Sequence, residues 1–368
     1  MIEGVRLGNF KCFAEASIPM RQITAITGLN GSGKSTVLQA LLIAREAARG
    51  DGRSAVVPLN GPYGLALGEA LDVLHAGATA QAVSIEVLDG GVSYAYRFDV
   101  PDERRLHLTV AGRPGSPPPT LIREGPGFTY LMAERLGPRD QLAVTSEEVG
   151  QVGVGVQGEF TAQALATHET KTVAERLRHP RTAEHGVVTL RTQVEEWMAD
   201  IVRRLRITAQ WPPGLTASIL RFEEPSSFGV QHVRPTNMGF GVSYALPIVV
   251  AGLLADDGAV LIVENPEAHL HPRGQSLIGR FLGRIAGNGV QVIVETHSDH
   301  VINGIRYAAA VDGTVDPAAA LILFSGNRDT TFEPIDLTSE GSLSRWPAGF
   351  FDQMDLDLGG LARARRSR

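Results

Sequence analysis

The sequence predicts an α/β fold: a mostly parallel core sheet joined by an antiparallel β subdomain and a helical insertion. Three observations carry this. The first 50 residues run strand, glycine loop, helix; the last third alternates short apolar strands with helices; residues 83–111 alternate polar and apolar with a period of two. Uniformly apolar strands suit a parallel sheet covered on both faces, whereas period-two strands keep one face in water.

In chain order, "GVRLGNF" and "ASIPM" read as short strands and "QITAITG" as a buried strand ending in glycine. The helix after it sets Val37, Leu38, Leu41 and Leu42 at helical spacing. "VSIEVLDGGVSYAYRFDV" is a hairpin turning at Asp89-Gly90, a pair suited to the left-handed turn that strand twist requires, and "RLHLTV" follows it. "GRPGSPPPT" is a proline-rich loop, and "TYLMAERLGPRD" is a strand feeding a charged turn. Residues 161–206, including "RTQVEEWMADIVRRL", are mostly helical and read as an insertion or lid between β-rich zones. "ITAQWPPGLTASILRF" is a second hairpin. "VSYALPIVVAGLLA", "RGQSLIGRFLGRIA" and "DHVINGIRYAAAV" are then helices, and "AVLIVE", "VQVIVET" and "AALILFS" are strands.

Bulk composition excludes several classes. The 368 residues are 43% hydrophobic and 20% charged, ordinary for a globular protein of one large or two average domains. No apolar run is long enough to span a bilayer and the N-terminus lacks a signal-peptide core, so a cytoplasmic protein with no membrane partner is expected. The single cysteine, Cys12, rules out an internal disulfide framework and a thiolate zinc site. A net charge of −6 is not that of a polyelectrolyte binder of nucleic acid. The basic runs at Arg203, Arg204 and Arg206 and in the tail "RARRSR" read first as solvated faces.

Four motifs carry chemistry. "GLNGSGKS" is a phosphate loop: Asn30, Gly31, Ser32, Gly33 and Thr36 wrap phosphates with backbone N–H groups, Lys34 reaches the β and γ phosphates, and Ser35 holds Mg2+. "VLIVENPE" ends a strand on Glu264, a second magnesium ligand, and Glu267 lies three residues on. "QVIVETHSDH" brings Glu295, Thr296 and His297 to another strand end, where a histidine can bond the γ-phosphate or the attacking water. "TNMGFGVSYALP" sets Gly239, Gly241 and Ser243 before a helix, as a second anion cap. A plain helix cap with Ser243 at its start is the simpler reading of that motif.

In this order the motifs resemble the ABC-type ATPases of the RecF, SMC and OLD (overcoming lysogenization defect) group. "GVRLGNFKCF" resembles the opening strand of that group, "ENPEAHLHP" its extended Walker B and "ETHSDH" its switch-histidine motif; "YLMAERLGPRD" and "WPAGFFDQ" resemble boxes of a bacterial subgroup with an uncharacterised C-terminal domain. The resemblance implies an ABC-ATPase-type P-loop domain using ATP and Mg2+. On this basis 1–160 is an N-terminal ATPase lobe, 161–206 the insertion, 207–340 a C-terminal lobe with the signature-like, Walker B and switch motifs, and 341–368 a tail. It further implies a homodimer sandwiching two ATPs, with Gly239, Gly241 and Ser243 of one subunit facing the phosphate loop and Glu264 of the other, and His297 as the switch residue. Relatives act on DNA or gate a nuclease. With no room for a nuclease domain before Arg368, a separate effector protein is expected, in DNA repair or anti-phage defence.

One departure bears on rate. Asn265 takes the general-base position, and an amide orients water but accepts no proton at neutral pH. Glu267, helped by Asn265 and His297, is the expected water-handling group, with Glu295 the alternative, and hydrolysis is expected to be slow. The competing readings are a non-hydrolysing nucleotide sensor, a metallohydrolase built from His269, His271, His297 and His300, and a small-molecule kinase.

Overall fold

The computed structural model describes every residue except 51–54, 101–103, 183–185, 227–228, 327–330 and 367–368, with backbone alone at 225–226, 229–230 and 366; the end of the basic tail lies outside the described residues. Its core sheet contains β3 (Ile23–Gly28), β8 (Phe128–Leu131), β13 (Val260–Glu264), β14 (Gln291–Glu295), β15 (Ala320–Ser325) and β16 (Glu333–Asp336) in the order β16-β15-β3-β14-β13-β8. All neighbours are parallel except β15 and β16. A second, antiparallel sheet runs β2 (Phe13–Pro19), β1 (Ile2–Phe10), β5 (Ala82–Asp89), β6 (Val92–Asp99), β7 (His107–Gly112), β4 (Val56–Pro58). The β5–β6 hairpin forms where the sequence signal lies, but its turn is Gly90-Gly91, both left-handed, one residue beyond Asp89-Gly90, because Asp89 still pairs with Val92. A small third sheet joins β9 (Gln141–Leu142), β10 (Arg206–Gln210), β11 (Ser218–Ser226) and β12 (Gly229–Val233).

The core strands alternate between two hydrophobic clusters. Leu261, Val263, Val292 and Val294 enter one, with α3 (Leu190–Ile201), α4 (Phe240–Leu254), α5 (Pro272–Gly287) and α6 (Asp299–Ala310); Val260, Ile262 and Ile293 enter the other, with α1 (Lys34–Arg49) and the antiparallel sheet. This is the burial of a sheet covered on both faces, and it explains why these strands read as unbroken apolar runs. Because α1 lies between two sheets, it is buried on nearly every side.

Within 161–206 the helices are α2 (Thr161–Thr167) and α3, and Leu190, Val194, Met198 and Ile201 of α3 belong to the same core as α4. Trp197 packs edge-on against Phe281 of α5. The α3 part of the segment is a wall of the core. By contrast, α7 (Gln353–Arg366) leaves Met354, Leu356, Leu358 and Leu361 exposed.

Close approach fixes α5 against α6. A Cβ on Gly304 would stand 2.1 Å from the Ser276 carbonyl oxygen and 3.0 Å from Gly279 Cα. Gly304→Ala is therefore expected to force the helices apart and cost about 1–3 kcal/mol, read as a fall of several degrees in Tm by calorimetry. An unchanged Tm would mean that the two helices are not in this contact.

Candidate functional site

The strand-to-helix turn after β3 carries the candidate phosphate loop, Gly28–Ser35. Gly28 is left-handed, and a Cβ there would lie 2.2 Å from the Ser325 carbonyl oxygen at the end of β15. Gly33 is the left-handed cap of α1, and its Cβ position is 2.6 Å from the Phe13 ring. Only glycine fits either place. Lys34 Nζ donates to the carbonyls of Gly28 (3.0 Å) and Leu29 (2.7 Å), so the loop curls around the ammonium. Asn30 and Gly31 are exposed at the tip, Thr36 is buried, and the buried Ser32 Oγ has no hydrogen-bond partner.

Two carboxylates meet this loop. Glu264 and Glu295 are in register at the ends of β13 and β14 and continue the residue series that faces α1. Ser35 Oγ donates to Glu295 Oε1 at 2.9 Å. Glu264 accepts from the Tyr130 hydroxyl (2.8 Å) and the Ala133 N–H (3.1 Å). Burial, reinforced by the Glu264 charge, pushes the Glu295 carboxyl up to about 7, against the pull of Ser35 and Lys34. Burial also raises Glu264, although the Tyr130 and Ala133 bonds oppose it. The buried Glu295 Oε2 has no partner. Two like charges and an orphaned oxygen beside a serine hydroxyl form a donor set that a hard divalent cation suits. The residues present thus fit a magnesium nucleotide.

Past β13 the chain makes two left-handed steps, at Asn265 (φ 44°) and His269 (φ 60°). Asn and His are among the side chains that tolerate this region best, which gives Asn265 a backbone reason for its place. Its N–H donates to the Glu295 carbonyl at 2.8 Å, its carbonyl accepts from Arg135, and its buried Oδ1 has no partner. Glu267 has both oxygens engaged, by Thr296 Oγ1 (2.7 Å) and the His297 N–H (2.8 Å), and so holds the loop that carries His297. His297 itself is exposed; partial burial of its ring and the Lys34 ammonium lower its pKa, and Glu267 opposes them.

The histidines have separate uses. His269 packs against Tyr244 and Phe240, His271 caps α5 by accepting from the Arg273 N–H, and His300 lies 3.8 Å from Asp299. Among the described residues no group of three His, Cys, Asp or Glu side chains could hold a metal. Of Gly239, Gly241 and Ser243 only the first precedes the helix: α4 starts at Phe240, with Gly239 as its cap, so Gly241 and Ser243 lie inside the first turn and Ser243 cannot be the N-cap. A Cβ on Gly239 would meet open space, whereas one on Gly241 would stand 2.8 Å from the His269 carbonyl oxygen. The first is unpacked; the second is a packing glycine.

Thr296, already singled out with its strand end, bonds Glu267, while Tyr130 and Arg135 brace Glu264 and Asn265 and are not evident from the residues taken singly. Their signal was the run "TYLMAER", an aromatic near the strand end followed by a lone acid–base pair.

Family models match three parts of the chain: "AAA ATPase domain" over residues 1–59, "AAA domain, putative AbiEii toxin, Type IV TA system" over 208–303, and "Protein of unknown function (DUF3696)" over 316–361. No curated protein matches. Among solved structures, an SMC head bound to the C-terminal winged-helix domain of ScpA is similar at TM-score 0.55 and 16% identity, covering 92% of this chain and 98% of that one. The Pyrococcus furiosus SMC head with an extended coiled coil, bound to the C-terminal domain of ScpA, is similar at TM-score 0.52 and 14% identity, covering 99% of both. These likenesses give a mixed α/β fold of the SMC-head type. No helix among the described residues is long and apolar enough to cross a membrane.

Proposed function

We propose that this chain, an ABC/SMC-like AAA ATPase by its family-model matches and its SMC-head fold, binds Mg·ATP at Gly28–Thr36 and hydrolyses it slowly, as a switch for a separate effector. The observation that carries the reading is the convergence of Lys34, Ser35, Glu264 and Glu295 at three adjoining strand ends of the core sheet.

The loop amides and Lys34 would hold the phosphates, and Ser35 with the two carboxylates would hold the metal, which neutralises phosphate charge when bound. Glu295 Oε2 is free to take a proton or a metal, Glu264 is oriented by Tyr130, and Asn265 orients without accepting a proton. Glu267 acts through the His297 loop, presenting that imidazole towards the γ-phosphate. Gly239, the cap of α4, offers its helix N-terminus to the nucleotide of a second copy, so that ATP would close a head-to-head dimer. Closure would gate a partner such as a nuclease, in DNA repair or phage defence, with DNA as a further ligand. Recovery of an effector from a lysate only with a non-hydrolysable ATP analogue supports that gate; recovery of DNA alone favours a clamp.

Lys34→Ala is expected to weaken ATP binding and turnover by at least about 100-fold, measured with radiolabelled nucleotide. If turnover is unchanged, the phosphate-loop assignment fails. Asn265 supports a second reading, a nucleotide sensor that does not hydrolyse. Single-turnover phosphate release by the wild type, well above the Lys34→Ala background, would eliminate it.

A further inference from the structure

Arg135 is 3% exposed, a cation taken almost wholly out of water. It makes no salt bridge among the described contacts; its charge is spent on main-chain carbonyls. Nη1 donates to the Met132 carbonyl (2.9 Å) and the Glu264 carbonyl (2.7 Å), and Nη2 to the Asn265 carbonyl (2.7 Å). The guanidinium therefore clamps two successive peptides where β13 turns left-handed. Its Cζ lies over the Tyr244 ring, 5.1 Å from the centroid, one turn into α4. Tyr244 packs edge-on against His269, the second left-handed residue, at 4.6 Å. Gly137 of the same loop abuts Phe240, the first residue of α4: a Cβ there would be 2.8 Å from its ring. A planar five-donor fork that stacks on an aromatic face does both jobs at once, and lysine does not.

We propose that Arg135 is a positioning residue: it locks the backbone beyond Glu264 and ties it, through Tyr244, to the start of α4, so that the metal-side acid and the partner-facing cap are held as one unit. The kinetic part rests on the ATPase reading; the structural part does not.

The test compares Arg135→Gln, Arg135→Lys, Tyr244→Leu and the Arg135→Gln/Tyr244→Leu double variant by turnover, by affinity for a fluorescent ATP analogue and by hydrogen exchange. Arg135→Gln is expected to leave nucleotide affinity within about three-fold of wild type while kcat falls about 30-fold or more, since the phosphate loop is intact and only the acid is misplaced. Tyr244→Leu is expected to lower kcat about ten-fold, and the double variant to be no slower than Arg135→Gln, because both remove one link. Arg135→Lys keeps the charge but not the fork and falls between wild type and Arg135→Gln. Without nucleotide, Arg135→Gln is expected to speed amide exchange together at 265–270 and in the first turn of α4, with the phosphate loop unaffected. Exchange rising at only one of these places, or multiplicative kinetic effects in the double variant, would overturn the proposal. If the wild type turns over no ATP but exchange rises at both places, the ATPase reading fails and the link stands. Should Arg135→Gln not fold, Arg135→Lys and Tyr244→Leu carry the same comparison.

Discussion

Glu295→Gln is expected to lower ATP turnover at least about 100-fold and to raise the magnesium concentration needed for half-maximal rate about ten-fold, while Glu267→Gln costs about ten-fold in rate alone. The difference follows from what each carboxylate already does. Glu267 has both oxygens satisfied by protein donors, and glutamine keeps an oxygen for the His297 N–H while its amide NH2 can donate to the Thr296 hydroxyl, so the loop is weakened and not released. Glu295 spends one oxygen on Ser35 and keeps the other, buried and unpartnered, where the strands of Glu264 and Glu295 end side by side. A neutral amide there cannot accept a proton and binds a divalent cation poorly. The same substitution removes a buried like charge, so the nucleotide-free variant is expected to melt about 2 °C higher than wild type. A Glu295→Gln protein with near-normal turnover, beside an inactive Glu267→Gln, would return the water-handling role to Glu267.

Much of the fold is legible in the sequence because its signals are local. Apolar runs such as "VLIVE" and "QVIVE" announce strands buried on both faces, and Gly28 and Gly33 announce a turn that only glycine permits. The elements of the α/β half fall where periodicity puts them. What was not legible depends on contacts between distant residues. Register decides that Glu295, and not Glu264, stands within hydrogen-bond reach of the Ser35 hydroxyl, and no spacing within either strand reveals it. Asn265 illustrates the other gap. Its side chain reads as a lost carboxylate, yet its backbone occupies a left-handed conformation that asparagine tolerates well and glutamate does not favour. The start of α4 is hidden because Gly239 and Gly241 read as a loop; the helix begins at Phe240, with Gly241 in its first turn beside the His269 carbonyl.

Mixing two inactive variants is expected to restore turnover if the composite site forms across a dimer. Lys34→Ala disables the phosphate loop; Gly239→Glu should disable the opposing cap. Gly239 suits this use because its backbone is ordinary (φ −65°) and a Cβ there meets open space, so the glutamate is not expected to disturb folding. Its carboxylate would sit at a helix N-terminus, where a γ-phosphate from the other subunit would otherwise bind, and two anions cannot share that place. Each variant alone should turn over ATP at least about 100-fold more slowly than wild type. In an equimolar mixture half the dimers are mixed, and each mixed dimer assembles one intact site and one doubly damaged site. Recovery should therefore approach about a quarter of the wild-type rate. Gly241→Glu cannot replace Gly239→Glu here, since it would collide with the His269 carbonyl and lose activity by misfolding. Full activity of Gly239→Glu alone would exclude the cap from the site. An inactive Gly239→Glu whose mixture with Lys34→Ala stays inactive would place both residues in one subunit's own site.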